Sequence, residues 1–203
     1  MNLYSLAIRE YLKGRLRKAS EHFFKVGIEY LSAGNFEDAK KAFLEAAESL
    51  YRDLEEKKWR SKNKTRILRE CLIITAYYIL ADENEKALST LNEFSELRKH
   101  GFKGSFRLDP IFLLLKVMLK TDAMEVFEDI ENLLYQWSNL NNCEKEKKYP
   151  EFLILEIAKN ILLSKFSRAY TLLESNEKTL KRYYGNLWDL LKLTMFLKYG
   201  GFS

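Results

Sequence analysis

The sequence predicts an all-α fold, and three observations carry that prediction. Among 203 residues there are 8 glycines and 2 prolines, about half and a fifth of average usage, which disfavours a sheet-rich chain full of tight turns. Residues that end and start helices punctuate the chain at short intervals. A pattern of small and aromatic positions then recurs from one pair of segments to the next. At 47% hydrophobic and 31% charged, the chain has enough apolar mass for a core without disulfides.

The punctuation places about nine helices, at 3–13, 16–33, 36–56, 65–81, 83–99, 110–120, 122–138, 150–163 and 167–184, followed by 187–199. Gly34 ends one helix, and Asn35 with Asp38 three residues on makes a capping-box-like start for the next. Arg98, Lys99 and His100 before Gly101 have the charge and glycine pattern of a helix C-terminus. Asp109 and Pro110 read as N-cap and first helical residue, and Pro150 opens another helix. Ser175 and Asn176 mark a possible break in 167–184, Gly185 closes that helix, and Asn186 with Asp189 caps the last.

Residues 23–46 carry Phe23, Val26, Gly27, Tyr30, Gly34, Phe36, Ala39, Phe43 and Ala46. Small Gly27 and Ala39 would let two antiparallel helices approach closely, with Tyr30, Phe36 and Phe43 filling the space beside them. This stretch resembles a tetratricopeptide repeat. Weaker copies align Tyr78 with Tyr30, Phe166 with Phe36, Ala87, Val126 and Ala169 with Ala39, and Leu91 and Leu173 with Phe43. Tyr51 stands where that family usually has proline, so longer helices than the standard unit are expected. The first unit, ending AKKAFLEAAE, is similar to the soluble attachment proteins of vesicle fusion, the SNAP family. The resemblance implies a single repeat domain over 1–203: an N-terminal cap helix at 1–15, about four degenerate repeats over 16–184 and a C-terminal cap at 185–203, wound as a TPR-like α-α superhelix.

In such a superhelix the first helix of each pair lines a concave face. The matching positions include Phe24, Ile28 and Leu31 in the first repeat, Leu72, Ala76 and Ile79 in the second, and Ile154, Ala158 and Ile161 in the fourth. Family members that clamp a terminal carboxylate carry lysine, arginine and asparagine there, so apolar residues point to a different ligand. The stretches ILRECLIITAYYIL, PIFLLLKVML and EFLILEIAKNILL are apolar nearly all round and must be covered on more than one side. A self-filled superhelix, a second copy in a homodimer, or a helix or extended segment of another protein would each cover them.

Charge gives a second reading. Lys57, Lys58, Arg60, Lys62, Lys64, Arg66 and Arg69 lie in thirteen residues without an acid, and removing those seven from the formal net charge of +5 leaves the rest at −2. A second acid-free stretch runs from Arg98 to Arg107, and the two flank one helix pair. Read plainly these are solvated loops. Read functionally they would bind an acidic partner: an anionic membrane surface, or nucleic acid with Trp59, Phe102 and Phe106 as stacking groups.

Signatures of chemistry are missing from the sequence. Gly101 and Gly104 lack the following lysine and hydroxyl residue of a phosphate loop, and there is no HExxH or GxSxG. His22 and His100 with Cys71 and Cys143, 72 residues apart, spell no ordinary zinc site or CxxC motif. His22 reads as a helix-surface residue, His100 as a partner of helix-end carbonyls, Cys71 as a buried hydrophobe and Cys143 as a loop thiol. Glu45, Glu48 and Asp53 share a helical face taken as solvated. No enzyme activity, metal or cofactor is expected. Early charges without an apolar leader, and no run approaching about 18 apolar residues, predict a cytoplasmic protein without a transmembrane segment. Abundant lysine and glutamate beside a single glutamine, Gln136, lean toward a thermophile.

Overall fold

The structure is a computed structural model that describes residues 2–100, 107–141 and 149–200. Among these residues there are ten α-helices and no strand: α1 Leu3–Leu12, α2 Leu16–Ser32, α3 Phe36–Lys57, α4 Lys64–Leu80, α5 Asn84–Lys99, α6 Asp109–Met118, α7 Ala123–Asn141, α8 Pro150–Leu162, α9 Phe166–Tyr184 and α10 Asn186–Tyr199. None is long and apolar enough to cross a membrane.

What joins the helices is one corner used five times. Between α1 and α2, α2 and α3, α4 and α5, α6 and α7, and α8 and α9, a helix ends on a residue in the left-handed region: Gly14, Gly34, Asp82, Lys120 and Ser164, with φ of 69°, 75°, 65°, 53° and 57°. The N–H of that residue donates to the carbonyl three back, and the next N–H donates to the carbonyl five before it, as in Gly34 to Leu31 and Asn35 to Tyr30. This is the Schellman arrangement, which satisfies the last carbonyls of the finishing helix. The next helix starts at once. Asn35 accepts from the Asp38 N–H at 3.4 Å as the N-cap reading expects, but the Asp38 carboxylate accepts from the Asn35 Nδ2 at 2.7 Å and not from its backbone N–H, which already donates to the Tyr30 carbonyl. Asp122 accepts from the N–H groups of Met124 and Glu125.

Packing follows each corner in the same register. Five residues past the left-handed residue, or six in α7, stand Ala19, Ala39, Ala87, Val126 and Ala169, all fully buried. One turn later Phe23, Phe43, Leu91, Ile130 and Leu173 are buried as well. The small residue lets the returning helix approach, and the large one fills the gap beside it. At the α2/α3 hairpin the approach is close enough that Phe43 lies directly on Gly27. Phe36 is the exception: at 58% exposure it does not fill the hairpin, because it opens α3 at the corner instead of lying along the seam.

The chain falls into two compact units, residues 1–104 and 105–203. In the first, α1 to α5 pack in chain order, each on the next. In the second, α6 and α8 pack together, α7 lies against both, α9 packs on α8, and α10 on α9. The three stretches apolar all round are α4, α6 and α8, with twelve of 17, seven of 10 and nine of 13 residues buried. The chain itself covers them.

Three local expectations are corrected. α6 starts one residue early, with Leu108 as its N-cap, Asp109 as its first residue and Pro110 as its second. α9 runs unbroken through Ser175 and Asn176, because their side chains bond back to the carbonyls of Thr171 (2.6 Å) and Leu172 (2.9 Å) one turn earlier and leave the backbone ladder intact. α10 starts at Asn186 with no side-chain cap, directly after Gly185 turns the chain at φ 60°. Gly101 lies outside the described residues.

Candidate functional site

The apolar positions expected to line a concave face fall into two groups. Leu72, Ala76 and Ile79 on α4 and Ile154, Ala158 and Ile161 on α8 are all buried in the packing of their own chain. Phe24, Ile28 and Leu31 on α2 are half-buried. Phe24 stacks on Tyr77 of α4 at 5.1 Å between ring centroids and lies 5.8 Å from Phe43, so its ring already has partners on two sides.

The seven-cation segment sorts in the same way, by what each charge touches. Lys57 pairs with Asp53, and Arg66 with Glu70 at 2.9 Å. From α2, Arg17 reaches both of these carboxylates. Asp53 and Glu70 are 3% and 4% exposed, so the solvated face expected at Asp53 is instead an ionic seam between α2, α3 and α4. Glu45 on the same helix is exposed, and Glu48 accepts from Lys86 at 2.7 Å. Lys58 bonds to Glu55 and, at 2.6 Å, to Glu93 on α5. Burial works against the Lys58 charge, but bonds to the two carboxylates outweigh it and hold the ammonium well above its ordinary pKa. Burial, and then the charges of Glu93 and Glu55, push the neighbouring Tyr51 hydroxyl up to about 12. Lys64 and Arg69 are half-buried, each with an interaction of its own. Arg60 and Lys62 are exposed.

The two acid-free stretches meet. Trp59 lies edge-on to His100, the C-cap of α5, at 6.3 Å between centroids and 77° between planes. The His100 ring thus faces an indole as well as standing at a helix end. Phe102 and Phe106 lie outside the described residues, as does Cys143. Cys71 is buried, as read, and burial first of all pushes its thiol up. His22 is half-buried, its Nδ1 enclosed without a hydrogen-bond partner. No group of three or more histidine, cysteine or acidic side chains able to hold a metal occurs among the described residues.

In the second unit, a buried carboxylate sits in the first turn of α8. Glu151 accepts from the Tyr183 hydroxyl, and Arg107 lies over the Tyr183 ring at 5.4 Å. Burial and the bond to Glu151 push Tyr183 up to about 12. An open cleft of about 380 Å³ lies between α9 and α10. Tyr170, Leu173, Leu193, Met195 and Phe196 give it an apolar lining, and Glu177, Asp189 and Lys192 supply its charges. Those charges are balanced: Lys192 donates to Glu177 at 2.7 Å, and Lys181 pairs with Asp189 at 3.1 Å. The sequence predicts α10 as an end cap and does not predict this cleft. Phe196 beside Leu193 on a terminal helix was the signal available for it.

No family model, curated protein or solved structure matches this chain.

Proposed function

We propose that the protein is a non-enzymatic interaction scaffold that seats a helix or extended segment of another protein. The observation supporting this reading is the α9/α10 cleft: an open apolar trough with Phe196 52% exposed at its edge and neutralised charges at its rim. Its volume falls in the range of about 300–1,000 Å³ typical of binding clefts. An apolar floor with a balanced polar rim suits the apolar face of an amphipathic helix, with anchor side chains spaced one turn apart. Phe24, Ile28 and Leu31 offer a second, shallower apolar strip on α2. The six buried positions on α4 and α8 hold up the helices and do not meet the partner.

A photo-crosslinking residue placed at Phe196 tests the reading, with the same residue at exposed Leu12 of α1 as control. A discrete adduct with one other protein at position 196, absent at 12, is the expected result. The same adducts at both positions would overturn the proposal, and an adduct of doubled mass would replace the foreign segment with a second copy.

A further inference from the structure

One end of the first unit displays chemistry that the scaffold reading does not use. The Lys58 to Glu93 bond ties the end of α3 to α5, the Trp59 to His100 contact ties the following connection to the α5 C-cap, and the connection leads directly into α4. The cations at this end divide by what they touch. Lys57, Lys58 and Arg66 are engaged with carboxylates that hold the helices together. Arg60 and Lys62 stand exposed on the short connection between α3 and α4, directly after Trp59, whose indole is 60% exposed. Lys99 is exposed nearby and donates to Glu96 at 2.7 Å.

The connection holds these groups in a fixed shape. The N–H groups of Arg60 and Ser61 both donate to the Lys57 carbonyl. The Asn63 N–H donates to the Ser61 Oγ at 3.2 Å, and the Asn63 side chain caps α4 by accepting from the Arg66 N–H at 2.9 Å. The start of α4 thus adds its partial positive charge to the two displayed cations.

A flat indole, 60% exposed, followed at once by an exposed guanidinium and ammonium fits a ligand that alternates flat π faces with negative charges. We propose that this end of the first unit binds single-stranded nucleic acid without regard to sequence, one base stacking on Trp59 and the adjoining phosphates resting on Arg60 and Lys62. Duplex is disfavoured because its bases are already stacked on one another. An anionic membrane would engage the same cations, but Trp59, with Leu12 at the α1/α2 corner, makes up the large apolar surface exposed at this end among the described residues, too little to anchor in lipid.

The test is a titration of the full chain with a labelled oligothymidylate from about 50 to 200 mM salt. Duplex of equal length, polyphosphate, and vesicles of phosphatidylserine with phosphatidylcholine are run beside it. With two phosphates contacted, log affinity against log salt should fall with a slope of about −1.4. Trp59→Ala should weaken binding roughly 5- to 150-fold, whereas Trp59→Phe, which keeps a stacking ring, should retain most of it. The double variant Arg60→Gln, Lys62→Gln should flatten the slope, and Lys41→Gln on α3 should change nothing. Far-UV circular dichroism checks that each variant is folded. Equal binding by wild type and Trp59→Ala would overturn the proposal, as would duplex or polyphosphate bound as tightly as the single strand. Vesicle binding without oligonucleotide binding would overturn it in favour of a lipid surface.

Discussion

Replacing Gly27 with alanine tests whether close helix approach organises the first hairpin. A β-carbon built on Gly27 meets Cε1, Cδ1 and Cζ of Phe43 at 2.4, 2.7 and 2.9 Å. Carbon atoms rest at about 3.5–4.0 Å, so the ring or the helix has to retreat by roughly 1 Å. Phe43 has little room for that: it is 1% exposed, with Phe24 at 5.8 Å. Overpacking of this kind costs about 1–3 kcal/mol. Against it, alanine is favoured over glycine inside a helix by about 0.5–1 kcal/mol. The steric cost is the larger of the two at mid-range, and the net loss should be about 1 kcal/mol, within about 0–2.5, read from urea unfolding followed by circular dichroism. In the Gly27→Ala, Phe43→Leu double variant the smaller side chain makes room, so the two changes should couple favourably by about 1 kcal/mol. A gain of about 1 kcal/mol from Gly27→Ala alone would refute the reasoning, because that is what an unobstructed helical glycine would give.

Lys120→Gly and Ser164→Gly should each raise the free energy of unfolding, by about 0.5–1 kcal/mol from urea titration, since both side chains sit in the left-handed region that glycine occupies without strain. Arg17→Met should cost about 2 kcal/mol, below the ~3–5 kcal/mol of a fully orphaned buried pair, because Lys57 and Arg66 still face Asp53 and Glu70. Lys41→Met, which loses only the exposed pair with Asp38, should leave the urea midpoint unchanged in the same assay. Tyr51 has its folded pKa raised to about 12 from an ordinary 10, so its contribution is complete below pH 10 and is lost as pH climbs toward 12. Urea midpoints measured across that interval should fall, and Tyr51→Phe should fall less steeply.

Local signals told the truth where the physics is local. Asn35, Asp38 and Gly34 act within a few residues of chain, and the helix ends they mark are where they were expected. Ala39, Ala87, Val126 and Ala169, picked out by spacing, all prove buried against a neighbouring helix. Lys120 and Ser164 are not legible as corner residues because their types do not advertise a left-handed conformation, and the hairpin imposes it on them; Asp82 is of a type that tolerates it. Asp53 misled for another reason. Helical spacing says which face a residue occupies, and only the arrival of Arg17 from α2 turns that face into a buried ionic seam. The same gap explains the apolar positions on α4 and α8, whose burial depends on how many helices surround them. Trp59 with its basic neighbours was legible as composition, while its meeting with His100 depended on α5 ending beside the α3/α4 connection.

The five like corners also bear on how fast the chain finds its structure. Each joins helices adjacent in sequence, so the contacts it makes close short loops, for which the entropic cost is small. Helical proteins dominated by such pairings fold in roughly microseconds to milliseconds. A hairpin turned by Gly14 or Gly34 enters its corner without strain, while one turned by Asp82, Lys120 or Ser164 must first force a side chain into an unfavoured backbone well. The α1/α2/α3 segment is thus the natural place for structure to begin. Its amides should be the first to gain protection from hydrogen exchange in a refolding pulse experiment.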